Sequence, residues 1–155
     1  MTNTVPTADR RHWVLRAIVL GFVYCALGVI FGVMAGYAGG GRATIAWRLA
    51  AWVASAIIYA AHIAYEQFRL RNSPGVVAFH AATAAAVGGF GLAVMAALHR
   101  ASSSPSGASM HLYALALVAW PLITGLPAFI VALVLSEILA RIPRRAEKAI
   151  ISYDD

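Results

Sequence analysis

Acidic residues are scarce in this 155-residue chain. There are six, and its long apolar stretches contain none of them. Catalysis by paired carboxylates therefore has no material in the middle of those stretches. Cysteine is nearly absent as well. Cys25 stands alone, which excludes an intramolecular disulfide, a C-x-x-C redox pair and a cysteine-based zinc site. A thiol oxidase of the membrane goes with them, and Cys25 reads as a small buried hydrophobe. Charge of either sign is thin, at 12% of residues against about 25% in a soluble domain. The chain also lacks G-x-S-x-G, H-E-x-x-H, P-loop and dinucleotide fingerprints. Its two halves show no internal repeat of the kind that builds many transporters. An enzyme is accordingly the less favoured class.

Four apolar stretches fill the space these absences leave. Ala17 to Gly41 carries no charged side chain, Leu49 to Tyr65 only His62, Val76 to Leu98 only His80, and Leu112 to Ser136 none. A bilayer core of about 30 Å needs roughly 20 such residues of helix to cross it. With 61% hydrophobic residues, a water-soluble fold would expose large apolar patches. The expected fold is all-α: one polytopic membrane domain, a four-transmembrane-helix antiparallel bundle. Its helices are placed at about 11–37, 44–71, 74–99 and 110–142, with short cytoplasmic termini. The first stretch exceeds the roughly 7–15 residues of a signal h-region, so no cleavage is expected there.

The net charge of +6 reads as topology rather than as a nucleic-acid surface. Arg10, Arg11 and Arg16 precede the first helix, Arg69 and Arg71 follow the second, and Arg141, Arg144, Arg145 and Lys148 follow the fourth. Nine of the twelve basic residues thus share one side, leaving Arg42, Arg48 and Arg100 opposite. The positive-inside rule puts that richer side, with both termini, in the cytoplasm, where it also attracts anionic headgroups. Eleven arginines against one lysine, with abundant alanine, point to a high-GC bacterium and hence to its inner membrane.

Local signals set the helix ends. Gly39-Gly40-Gly41 breaks the first helix, and Ser73-Pro74 supplies an N-cap and a first-turn proline for the third. These short turns predict that helices one and two, and two and three, lie side by side. Helix three, rich in Ala and Gly, is expected at the centre. The Ser-rich segment Ala101–Ser109 reads as a flexible loop, and Pro143 as the stop of helix four.

The most specific pattern is a polar stripe on helix two. Arg48, Trp52, Ser55, Tyr59, His62, Glu66 and Arg69 alternate at spacings of four and three, which keeps them on one helical face. Polar groups are costly against lipid, so the stripe should face the bundle interior, toward helix three and part of helix four. His62 and Glu66 are one turn apart and suit a proton relay, with Arg69 expected to hold Glu66 ionised and His80 opposite. Ser55, Tyr59, His62, Glu66, Arg69 and His80 are therefore the candidate proton or ligand path. His62 and His80 lie at matching depth on neighbouring helices, which also suits axial ligation of a b-type haem. No other cofactor or metal is expected, since His99 and His111 have no acidic or cysteine partners nearby.

Two further features are structural candidates. Trp120, Pro121, Thr124, Gly125 and Pro127 predict a kinked or opened segment in helix four, because each proline removes a helical hydrogen bond. Gly21, Gly28, Gly32 and Gly36 form a small-residue packing face on helix one. The reading that follows is a non-enzymatic transport or permeation component, or an accessory subunit of a larger membrane complex. The alternatives are a haem-binding electron-transfer subunit and a scaffold that forms homo-oligomers through its glycines. The lipid bilayer is the expected partner, and nucleic acid is not.

Overall fold

The computed structural model describes the backbone of residues 7–103 and 110–151 and the side chains of 12–100, 102 and 112–141. It is all-helical, in the order α1 (Thr7–Tyr37), α2 (Gly41–Ala64), a π-helical turn (Tyr65–Arg69), α3 (Pro74–Ser103) and α4 (Met110–Ile151). Each of the four helices, with the π turn counted into α2, is long and apolar enough to cross a membrane. The expected four-helix bundle is thus the observed fold. The loop expected over Ala101–Ser109 lies mostly outside the described residues, as do the side chains of His111, Arg144, Arg145 and Lys148.

Chain reversal after α1 falls on the three glycines. Gly39, Gly40 and Gly41 have φ of 69°, 96° and 66°, angles at which a Cβ would be strained. The turn is closed by Thr44, whose Oγ1 donates to the Ala35 carbonyl at 3.2 Å. At the other end of the bundle, the Ser73 carbonyl accepts from the Val76 and Val77 N–H groups. That is the role of an N-cap residue, with Pro74 following as the first helical residue.

α3 is the spine. Val77, Ala78, Ala81, Ala84, Gly88, Gly89 and Ala93 are buried along it, and α1 and α4 pack on either side. The helices close up because small residues meet larger ones across each seam. A Cβ at Gly88 would come within 2.7 Å of the Tyr24 Cβ and 3.2 Å of the Gly21 carbonyl. On the opposite seam, a Cβ at Gly125 would meet Ala86 at 3.1 Å and the Ala82 carbonyl at 3.5 Å. Small residues that admit a neighbouring backbone are the usual basis of helix association in lipid.

Three expectations are corrected: the α2–α3 pairing, an opened segment at the prolines of α4, and the stop of that helix at Pro143. α2 does not lie along α3; it packs on α1 and meets α3 and α4 only in a few places. The reason is that α1 and α3, which run parallel, are complementary in shape and take the seam for themselves. α4 is helical without interruption through Pro121 and Pro127, and it continues past Pro143 to Ile151. Each proline removes one N–H, but the following residues resume the ladder. Near Pro121, Thr124 Oγ1 donates to the Trp120 carbonyl at 2.8 Å and lies 3.4 Å from the Ala85 carbonyl.

Candidate functional site

The one irregular stretch among the described spans is the end of α2. Tyr65–Arg69 forms a π turn, in which the N–H of Leu70 reaches back five residues to the Tyr65 carbonyl, at 3.3 Å. The N–H of Asn72 then reaches the Glu66 carbonyl, six residues back, at 3.2 Å. A Schellman closure spans five, so the extra residue in the turn is carried into the cap. Arg71 completes the exit with φ 53°. Single π turns of this kind concentrate at functional sites.

Inside this wide turn sits Glu66, with 1% of its surface exposed. Four side chains converge on its carboxylate, one each from α1, α2, α3 and the connection after the wide turn. His80 of α3 brings Nδ1 to 3.0 Å from Oε2, and the Asn72 amide donates to the same oxygen. Oε1 faces His62 Nε2 at 3.7 Å and Arg16 Nη1 of α1 at 3.9 Å. The His80 ring is held by Trp13, stacked on it with centroids 4.7 Å apart and 7° between planes. A buried carboxylate in a membrane helix needs this degree of compensation, because an unpaired ion in a low dielectric costs several kcal/mol. The Arg16 guanidinium supplies a fixed positive charge beside the carboxylate.

One proton position follows from these contacts: an ionised carboxylate only accepts, so against it His80 Nδ1, at 3.0 Å, is the donor. His62 Nε2, at 3.7 Å, stands outside hydrogen-bond reach, and His62 Nδ1 is buried without a hydrogen-bond partner, as are Gln67 Oε1 and the Tyr24 hydroxyl. Arg16 is 39% exposed. Together with Leu15, Val19, Ile58, His62 and Tyr65 it lines a lateral cleft of about 500 Å³ between α1 and α2. The carboxylate cluster therefore has an open flank on one side.

The structure divides the predicted path. His62, Glu66 and His80 come together as expected. Tyr59 also points inward, its hydroxyl donating to the Ala128 carbonyl of α4, while Ser55 is half-buried higher on α2. Arg69, expected as the partner of Glu66, is exposed and takes no part in the cluster. Arg16 holds that place. Trp52 is 77% exposed, so the outer part of the stripe faces away from the core. Arg16, Asn72 and Trp13 were missed, because each comes from a separate element. Among these, Asn72 had a usable signal in its position six residues after Glu66, in the turn.

Of the remaining candidates, Gly125 is buried against α3 and Thr124 is half-buried, while Trp120 and Pro127 are exposed and Pro121 is intermediate. On α1, Gly21 and Gly28 are taken up by Val87 and Leu92 of α3, whereas Gly32 and Gly36 face open space. The haem reading meets a geometric objection. His80 turns Nδ1 and His62 turns Nε2 toward the Glu66 carboxylate, at 3.0 and 3.7 Å, so these two nitrogens face an acid rather than a shared open space. No cluster of three or more His, Cys, Asp or Glu among the described residues is placed to hold a metal ion.

The comparisons with known proteins add no identity. No family model, no curated protein and no solved structure matches the chain.

Proposed function

We propose that this protein is a non-enzymatic membrane transport or permeation component, and that Glu66, with His62 and His80, is its protonatable centre. One observation carries the reading: a carboxylate with 1% exposure, in a helix long enough to span a membrane, is surrounded by titratable groups beside an open cleft. Ionisable residues at such positions mark proton and ion pathways. Two imidazoles on one carboxylate give a proton three adjacent places to reside, with Arg16 compensating whenever Glu66 is charged. Tyr59 extends the polar line toward the middle of the bundle.

The charge asymmetry supports a multi-pass arrangement with both termini in the cytoplasm, in a bacterial inner membrane by composition. In this reading protons approach from the end of the bundle that carries Glu66.

The test is proton flux into proteoliposomes loaded with a pH-sensitive dye, driven by a potassium gradient and valinomycin. Uptake should exceed that of empty vesicles and fall to their level with Glu66→Gln. His80→Phe, which keeps a ring on Trp13 but loses the bond to Glu66, should reduce it severalfold. Wild-type flux equal to that of empty vesicles, or undiminished flux in Glu66→Gln, would sink the proposal.

A further inference from the structure

A second groove lies between α1 and α2 toward the end of the bundle opposite Glu66. It encloses about 340 Å³ and is lined by Phe31, Gly32, Gly36, Arg48, Ala51 and Trp52, among others. Its floor is bare, since a Cβ at Gly32 or Gly36 would meet nothing within 4 Å. Phe31 leans on Trp47 with ring centroids 6.0 Å apart, which gives the groove one aromatic shoulder.

Arg48 is the unusual member. It lies seven residues inside α2, which starts at Gly41, or about 10 Å along the helix from that end. It is exposed, and no carboxylate among the described residues lies within ion-pair distance of it. The sequence explains why. The acidic residues of the described helices are Asp9, Glu66, Glu137 and Glu147, and none belongs to the half of the bundle that holds Arg48. A guanidinium does not lose its proton, and the described helices offer this one no counter-anion.

Two occupants compete, and charge separates them. A second copy of the chain, docked symmetrically through Gly32 and Gly36, would present the same patch to itself. It would bring two copies of Arg48 together with no acid from the described helices of either. A phospholipid brings a phosphate at the depth that Arg48 reaches, and an acyl chain for the apolar floor. Guanidinium and phosphate match in charge and in their paired donor–acceptor geometry.

We propose that this groove is a phospholipid site, with the phosphate on Arg48 and one acyl chain laid along Gly32 and Gly36. The site is independent of the Glu66 cluster, and its test reads lipid retention rather than flux.

The experiment is native mass spectrometry of the full chain released from detergent micelles that contain equimolar phosphatidylglycerol and diacylglycerol of the same chain length. The expected result is a retained phosphatidylglycerol adduct, with diacylglycerol about fivefold weaker or absent, since only the phosphate meets the guanidinium. Arg48→Gln should lower the phosphatidylglycerol adduct by a similar factor, and Arg48→Lys should keep part of it. Gly32→Leu, at a position where an added Cβ meets nothing within 4 Å, should also remove the adduct. An excess of inorganic phosphate should leave it unchanged. Retention that survives both Arg48→Gln and Gly32→Leu would overturn the site. Equal retention of diacylglycerol would reduce it to an apolar groove, and displacement by inorganic phosphate would make it a soluble-anion site. A dimer mass lost in Gly32→Leu would give the groove to a second copy. Each of these outcomes rejects the proposal.

Discussion

Substitutions at Glu66 separate the two contributions that its carboxylate combines, charge and hydrogen bonding. Glu66→Ala leaves His80 Nδ1, the Asn72 amide and the Arg16 guanidinium without their acceptor. Breaking a buried pair by removing one partner costs about 3–5 kcal/mol, and the lower end applies here because Arg16 is partly exposed. Glu66→Gln keeps a carbonyl oxygen for one donor and should lose about 1–2 kcal/mol. Unfolding in mixed micelles with rising denaturing detergent would order the two; equal losses would mean that the charge is irrelevant to the cluster. At this scale the sequence was informative where helical spacing decides. His62 and Glu66 sit four apart, and the estimate of equal depth from the connection placed His80 beside them. It misled at Arg69, because ordinary helical geometry was carried through a turn that is one residue wider. Arg16 and Trp13 were illegible, since nothing local to α1 says which helix it packs against.

Helices test the seams. Gly88→Val would drive its side chain into Tyr24 and the Gly21 carbonyl. Overpacking of this kind costs about 1–3 kcal/mol, and it should show as a lower unfolding midpoint. Gly36→Ala meets nothing within 4 Å, and with glycine about 0.5–1 kcal/mol worse than alanine in a helix, the midpoint should hold or rise slightly. A shared response of the two variants would contradict the α1–α3 seam. The four spans themselves were readable because their apolar runs match the thickness of a bilayer. The pairing order was not, because short turns limit which helices can touch without saying which surfaces fit best. Nor was the continuity of α4. Proline penalties known from water overstate what happens in a long apolar helix whose Thr124 and neighbouring backbone are at hand.

Whole-molecule predictions concern sidedness and order of loosening. With Cys25→Ser as background, Arg42→Cys and Ser73→Cys place one thiol at each end of the bundle. If the termini are cytoplasmic, an impermeant maleimide added to intact cells should label position 42 and spare position 73. Labelling of 73 alone would invert the topology. In micelles, amide exchange should run fastest in α2, which lines two clefts and has little buried surface, and slowest in α3, which is covered on two sides. Uniform exchange across the helices would argue against α3 as the spine.

The peripheral position of α2 has a mechanical corollary. This helix of 24 residues is about 36 Å long and is pinned at both ends, by the glycine reversal and the Thr44–Ala35 bond at its start and by His62 and the wide turn beside Glu66 at its finish. Between the pins it meets α3 and α4 in only a few places, so the freedom left to it is bowing rather than swinging. Paired spin labels at Gly32 and Ala51, across the groove between α1 and α2, should show a broader distance distribution in Glu66→Gln than in the wild type, because that change loosens one pin. A beam held at its two ends gives first at mid-span.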